Sequence, residues 1–190
     1  MTLPFNRLAL LRADRWKNLT YRTRRMLLNQ ALVSCGLIFV ALVFSPASLA
    51  DVDMVKVDKS KRRMYLLDNH VVVAEFQIAL GKSPKGHKQQ EGDQKTPEGR
   101  YVLDYIKTDS AFHLSMHISY PNEADIQRAT QLGVDPGGLI MIHGQKDWHP
   151  NFAPIAQQFD WTDGCIAITN DEIRRFVEMV KVGTVIEIEW

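Results

Sequence analysis

Cysteine is scarce in this chain, with only Cys35 and Cys165 among 190 residues. Two thiols so far apart exclude the disulfide framework of a small secreted scaffold. Internal repeats and low-complexity tracts are absent as well. A long uninterrupted apolar run is also missing. Residues 31–44 are apolar, but Asn29 and Gln30 break the extension back to Met26. A spanning helix needs about 20 such residues. Finally, there is no net excess of either charge, since the formal value is +1.

That small net charge hides an asymmetry. Residues 1–50 hold seven of the 23 basic side chains (Arg7, Arg12, Arg15, Lys17, Arg22, Arg24 and Arg25) and one of the 22 acidic ones, Asp14. A basic stretch, an apolar run, Pro46 and the small-residue exit Ser48-Leu49-Ala50 follow the order of a secretory signal. Cleavage is expected after Ala50, the alternative being an uncleaved anchor. Leu32-Val33-Ser34-Cys35 has the look of a lipid-attachment box, but apolar sequence continues past Cys35 and argues against it. Residues 51–190 then carry a net charge of −5, with 16 basic and 21 acidic residues, which disfavours nucleic acid as a partner. About 140 residues make one ordinary domain with a real core.

The domain reads as mainly β. Met54–Asp58 alternates, Arg63–Leu67 follows, and Asp68-Asn69-His70 has the composition of a hairpin turn before a long strand at Val71–Leu80. A polar loop from Lys82 to Lys95 closes on Thr96-Pro97-Glu98-Gly99, and Tyr101 restarts extended structure. Phe112, Leu114, Met116, Ile118 and Tyr120 share one strand face; His113, Ser115, His117 and Ser119 share the other. A short helix is expected over 124–132 with Gly133 as its stop. Leu139–Ile142 has the continuous apolar character of a strand buried on both faces. Another short helix is expected around 154–159. Thr169-Asn170-Asp171-Glu172 forms a capping box before Ile173, Phe176, Val177 and Val180 at helical spacing, and 184–190 is a last strand. Many strands and few short helices predict a β-sandwich or barrel.

An exported chain would retain Cys165 as its one thiol. A buried cysteine acting as a small hydrophobe is the common fate of such a residue. Here Gly164 precedes it and opens the backbone to close approach, and an apolar strand delivers His143-Gly144 22 positions earlier. A thiol attacks as thiolate, and an imidazole beside it takes and stores the proton. Cys165 is therefore read as a nucleophile and His143 as its general base and acid. The Gly144 carbonyl is read as the group that orients the imidazole. Backbone N–H groups at Gly164 and Cys165 are candidates for an oxyanion site.

Taken in order, Gly92-Asp93, Thr96-Pro97-Glu98-Gly99-Arg100-Tyr101, Ile142-His143-Gly144 and Thr162-Asp163-Gly164-Cys165-Ile166 resemble the YkuD-type L,D-transpeptidase catalytic domain, over about 54–190. The resemblance implies a β-rich catalytic fold acting on peptidoglycan in the periplasm, with Cys165, His143 and Gly144 in the roles given above. It implies attack on the L-centre carbonyl of diaminopimelate in a tetrapeptide stem, loss of D-alanine, and transfer of the acyl group to an amine. Transfer to water would make a carboxypeptidase or amidase. It also implies insensitivity to most penicillins and acylation of Cys165 by carbapenems. Two positions depart from the pattern: Asp163 stands where the family has histidine, and Ala167 where it often has a substrate-binding Arg or Asn. Asp163 beside the sulfur would raise the pKa of the thiol.

Thr162, Asp163, His117 and Tyr120 are the candidate substrate contacts, with Trp148, Phe152 and Trp161 as an apolar rim. Lys82, Lys85, Lys88 and Lys95 mark either a solvated loop or a flap that meets anionic substrate. No cofactor is called for. A zinc site is not expected, because His113 and His117 would sit about 14 Å apart along a strand. Besides peptidoglycan stems, a wall-linked protein is the second partner class, and membrane contact is expected only through an uncleaved leader. An inactive wall-binding domain is the non-enzymatic alternative.

Overall fold

The computed structural model describes residues 51–146 and 153–190. The leader, and with it the expected cleavage site, lies outside the described residues, as do Trp148 and Phe152. Among the described residues the chain forms eight strands: β1 (Met54–Asp58), β2 (Arg63–Asp68), β3 (Val71–Gln77), β4 (Gly99–Ser110), β5 (His113–Ile118), β6 (Met141–His143), β7 (Ile166–Ala167) and β8 (Val185–Glu189). The helices are α1 (Glu123–Leu132), α2 (Ala153–Ala156) and α3 (Asn170–Met179).

Hairpin chemistry starts the sheet. Asn69 and His70 both take positive φ, 49° and 67°, the conformation that a two-residue turn between twisted strands requires. The strands are hydrogen-bonded in the order β3-β2-β1-β8-β4-β5-β6-β7. The last strand, β8, lies between β1, to which it is parallel, and β4, to which it is antiparallel. β4 serves two partners: Gly99–Val102 pairs with β8, and its later residues pair with β5. The two ends of the order meet again where Ala79, just past β3, exchanges both backbone hydrogen bonds with Ala167 of β7, each 2.9 Å. The sheet therefore curls back on itself, as the sandwich-or-barrel reading predicts.

Alternation drives the core. Val55, Val57, Met64, Leu66, Leu103, Met116, Ile118, Ile142, Ile166, Ile186 and Ile188 are buried on the inner face. Helix α3 turns Ile173 and Phe176 into this core, with Phe176 edge-on to Phe76 at 6.3 Å between ring centres. Its capping box is formed as expected, with Thr169 accepting from the Glu172 N–H and Glu172 accepting from the Thr169 N–H. α1 ends on Gly133 at φ 69°.

Two elements differ from the sequence reading. The run 139–142 gives only Met141 and Ile142 to a strand, because Leu139 is turned outward, 74% exposed, with a φ of 54°. The loop 82–98 is organised from below by a lysine that the sequence places in an ordinary polar turn. Lys59 is fully buried, and its Nζ donates to Gly86 O (2.9 Å), Thr96 O (2.8 Å) and Glu98 Oε1 (2.9 Å). Lys88, also buried, donates to Gln90 O and Asp93 Oδ1 at 3.0 and 2.8 Å. Lys88 is thus an anchor of the loop, whereas Lys82 and Lys85 stay exposed on it.

Candidate active site

Parallel pairing of β6 and β7 brings the two expected catalytic residues together. Ile142 pairs with Ile166 and both point into the core. Their neighbours on either side, His143 and Cys165, point to the other face by strand alternation. Both line a cleft of about 330 Å³ with Lys82, Phe112, Lys146, Trp161, Thr162 and Asp163.

The imidazole is held from three sides. His143 Nδ1 lies 2.5 Å from Gly144 O, so in the neutral ring Nδ1 carries the proton and Nε2 keeps its lone pair. Phe112 packs against the ring at 4.5 Å and Trp161 meets it edge-on at 5.6 Å. The Gly144 carbonyl cannot drift, because the Gly144 N–H donates to Leu114 O at 3.1 Å. A side chain at 144 would strike the Asn170 carboxamide and sit 3.0 Å from Phe112 O. Asn170, at the start of α3, accepts from the Gln145 N–H at 2.7 Å. Burial holds the His143 pKa below the ordinary histidine value, and the Gly144 carbonyl only partly offsets this.

Cys165 is partly exposed. Its sulfur receives the Met141 N–H at 3.4 Å and lies 3.8 Å from Leu139 O. Burial pushes the thiol pKa up, and the Asp163 charge adds to this, while the Met141 N–H and Lys88 pull the other way. Both shifts favour the neutral forms, a thiol and an uncharged imidazole lining the same cleft. Asp163 is itself held below the ordinary carboxylate pKa, chiefly by Lys82 at 2.9 Å, with Gln94 as a further donor at 3.3 Å. Alkylation of Cys165 by iodoacetamide is expected to go on rising with pH beyond the ordinary cysteine range. Asp163→Asn should shift that profile to lower pH, because it removes an anion and frees Lys82 to favour the thiolate. An unmoved profile would show that Asp163 does not act on the sulfur.

The nucleophile turn is built by Thr162. Its Oγ1 donates to Cys165 O at 2.7 Å and accepts from the Gly164 N–H at 3.2 Å. Gly164 has a φ of 132°, and a Cβ there would sit 2.8 Å from Lys95 O, so the backbone of the 82–98 loop presses directly on this turn. Thr162 and Asp163 are at the cleft, as expected. His117 and Tyr120 are not among its lining residues. His117 shares a strand pair with Met141, but its Nδ1 is 2.7 Å from Asp104 and its ring stacks on Tyr105 at 4.6 Å. Tyr120 is buried in the core and donates to Pro136 O at 3.0 Å. Trp161 does line the cleft. Phe112 and Lys146 line the cleft without any motif that marks them, and Lys82 reaches it from the polar loop. Phe112 lies in the turn between β4 and β5, ahead of the alternating strand; His113 follows it at a φ of 73°, and the Leu114 N–H donates to Phe112 O at 3.0 Å.

The fold has relatives among known proteins. YafK of Escherichia coli (strain K12), provisionally named an L,D-transpeptidase, is 29% identical over 115 residues, which cover 58% of this chain and 39% of YafK. The helical cell shape determining protein Pgp2 from Campylobacter jejuni superposes with a TM-score of 0.55 at 26% identity, covering 73% of this chain and 47% of that chain. Bd1075 of Bdellovibrio bacteriovorus shares the fold, with a TM-score of 0.50 at 24% identity over 76% of this chain and 52% of that one. The chain thus spans less than half the length of YafK or Pgp2. The family model described as the L,D-transpeptidase catalytic domain, YkuD, matches residues 53–188, and the chain belongs to that family.

Proposed function

We propose that this domain is a cysteine acyltransferase of peptidoglycan in the periplasm. The observation that carries the reading is the shared cleft of Cys165 and His143, with the imidazole fixed through Nδ1 to Gly144 O. Cys165 attacks the L-centre carbonyl of diaminopimelate in a tetrapeptide stem while His143 Nε2 takes the thiol proton. The Gly164 N–H is occupied by Thr162, which leaves the Cys165 N–H as the donor of this turn to the developing oxyanion. Collapse expels D-alanine, its amine protonated by His143, and leaves a thioester on Cys165. His143 then deprotonates an incoming amine, which takes the acyl group and frees the thiol. With the amine of a second stem's diaminopimelate, the product is a cross-link.

Water entering at the same step gives hydrolysis instead, a second reading favoured by the partial exposure of Cys165. The likeness to a helical cell shape determining protein supports a part in wall shape under either outcome.

Incubation of the chain with disaccharide-tetrapeptide, read by mass spectrometry, separates the two. A dimer lacking one D-alanine is the expected product. Tripeptide alone would assign hydrolysis, and unchanged substrate would sink both readings for this donor.

A further inference from the structure

Three charged side chains line the cleft besides the reacting pair: Lys82, Asp163 and Lys146. Two of them cancel, because Lys82 and Asp163 are paired at 2.9 Å. Lys146 makes no salt bridge among the described residues, and its Nζ stands 5.3 Å over the Phe112 ring. Phe112 in turn packs on His143. Among the described residues, the positive charge of the cleft that no salt bridge offsets therefore lies on the imidazole side, where the leaving amine must receive its proton. The position at which the family often carries a substrate-binding Arg or Asn offers nothing comparable, since Ala167 is fully buried in β7.

We propose that Lys146 binds the carboxylate of the leaving amino acid, an inference that rests on the reaction proposed above. In a terminal D-amino acid the carboxylate is one carbon from the amine that His143 protonates. A cation beside the Phe112–His143 stack is placed to meet it. Phe112 supplies an aromatic face that keeps the ammonium in place before substrate arrives. The consequence is exo specificity: the scissile bond is one that releases a free carboxy-terminal amino acid, and an amide or an extended chain at that end is disfavoured.

The test uses the Cys165→Ala chain, titrated with the tetrapeptide L-Ala-D-isoGlu-diaminopimelate-D-Ala and with the same peptide ending in D-alaninamide. The acid is expected to bind about tenfold tighter than the amide, the scale of one hydrogen bond to a charged group. Lys146→Met in that background should erase the preference, and Lys146→Arg should keep most of it. Lys146 is exposed, so its replacement leaves the fold intact. Equal affinity for acid and amide, binding of neither, or a preference that survives Lys146→Met would overturn the proposal. The reaction itself is judged separately on the unmutated chain: absence of both product and a Cys165 thioester would refute the chemistry whatever the binding preference.

Discussion

Cys165→Ala is expected to abolish both product formation and covalent capture of substrate, lowering kcat by at least about four orders of magnitude. Loss of one member of a nucleophile–base unit costs nearly as much as loss of the whole unit. Alanine also leaves the surroundings intact, because the sulfur's contacts are a Met141 N–H at 3.4 Å and a distant Leu139 carbonyl, neither of which organises the turn. The turn is held instead by Thr162 Oγ1 and the Lys95 backbone. A carbapenem should add its mass to the parent chain and not to the variant. His143→Ala should retain a slow, strongly alkaline alkylation of Cys165, since the thiol then ionises without a base. Turnover by Cys165→Ala, or carbapenem labelling elsewhere in the chain, would remove the thiol from the mechanism.

The second large effect is structural. Lys59→Met is expected to destabilise the domain by about 3 kcal/mol, the lower range for leaving a partner of a buried ion pair uncompensated. In a domain of this size that lowers Tm by roughly 10 °C. Three acceptors lose their donor at once, and water cannot reach the position that Nζ occupies at full burial. Burial draws the Lys59 pKa below the ordinary lysine value, while Glu98 acts to restore it. The damage should reach the site. Thr96, whose carbonyl Lys59 holds, accepts from the Gly81 N–H at 3.2 Å, and the adjacent Lys95 carbonyl packs on Gly164. Lys59→Met should therefore also loosen the nucleophile turn and change the alkylation rate of Cys165. An unchanged melting temperature would show that the loop is held by other means.

Much of this arrangement is legible in the chain because it is written locally. The hairpin at Asn69-His70, the Thr169–Glu172 capping box and the Gly133 stop each depend on neighbours a few residues apart. The Cys165 and His143 pairing is readable because each sits at a strand end beside a glycine, a pattern visible without coordinates. What stayed hidden depends on distant partners. Lys59 lies between Asp58 and Ser60-Lys61, which reads as a solvated turn until a loop some 30 residues later wraps its amine. Phe112 fits the alternation of a core strand in the sequence, but the strand begins only at His113 and Phe112 falls in the turn that faces the cleft. His117 and Tyr120 have the right chemistry for a substrate site, yet their partners are Asp104 and Pro136. Lys146 carries no sequence signal, since its meaning comes from the pairing of the other cleft lysine with Asp163.

The position of β8 bears on how the protein is made. It follows every other element among the described residues, yet it stands between β1 and β4 and supplies hydrogen bonds to both. A ribosome delivers β1 and β4 before β8, so the nascent domain holds two unsatisfied strand edges until β8 emerges. The sheet is therefore completed by its latest strand, and the β1 and β4 edges stay open until β8 has been made.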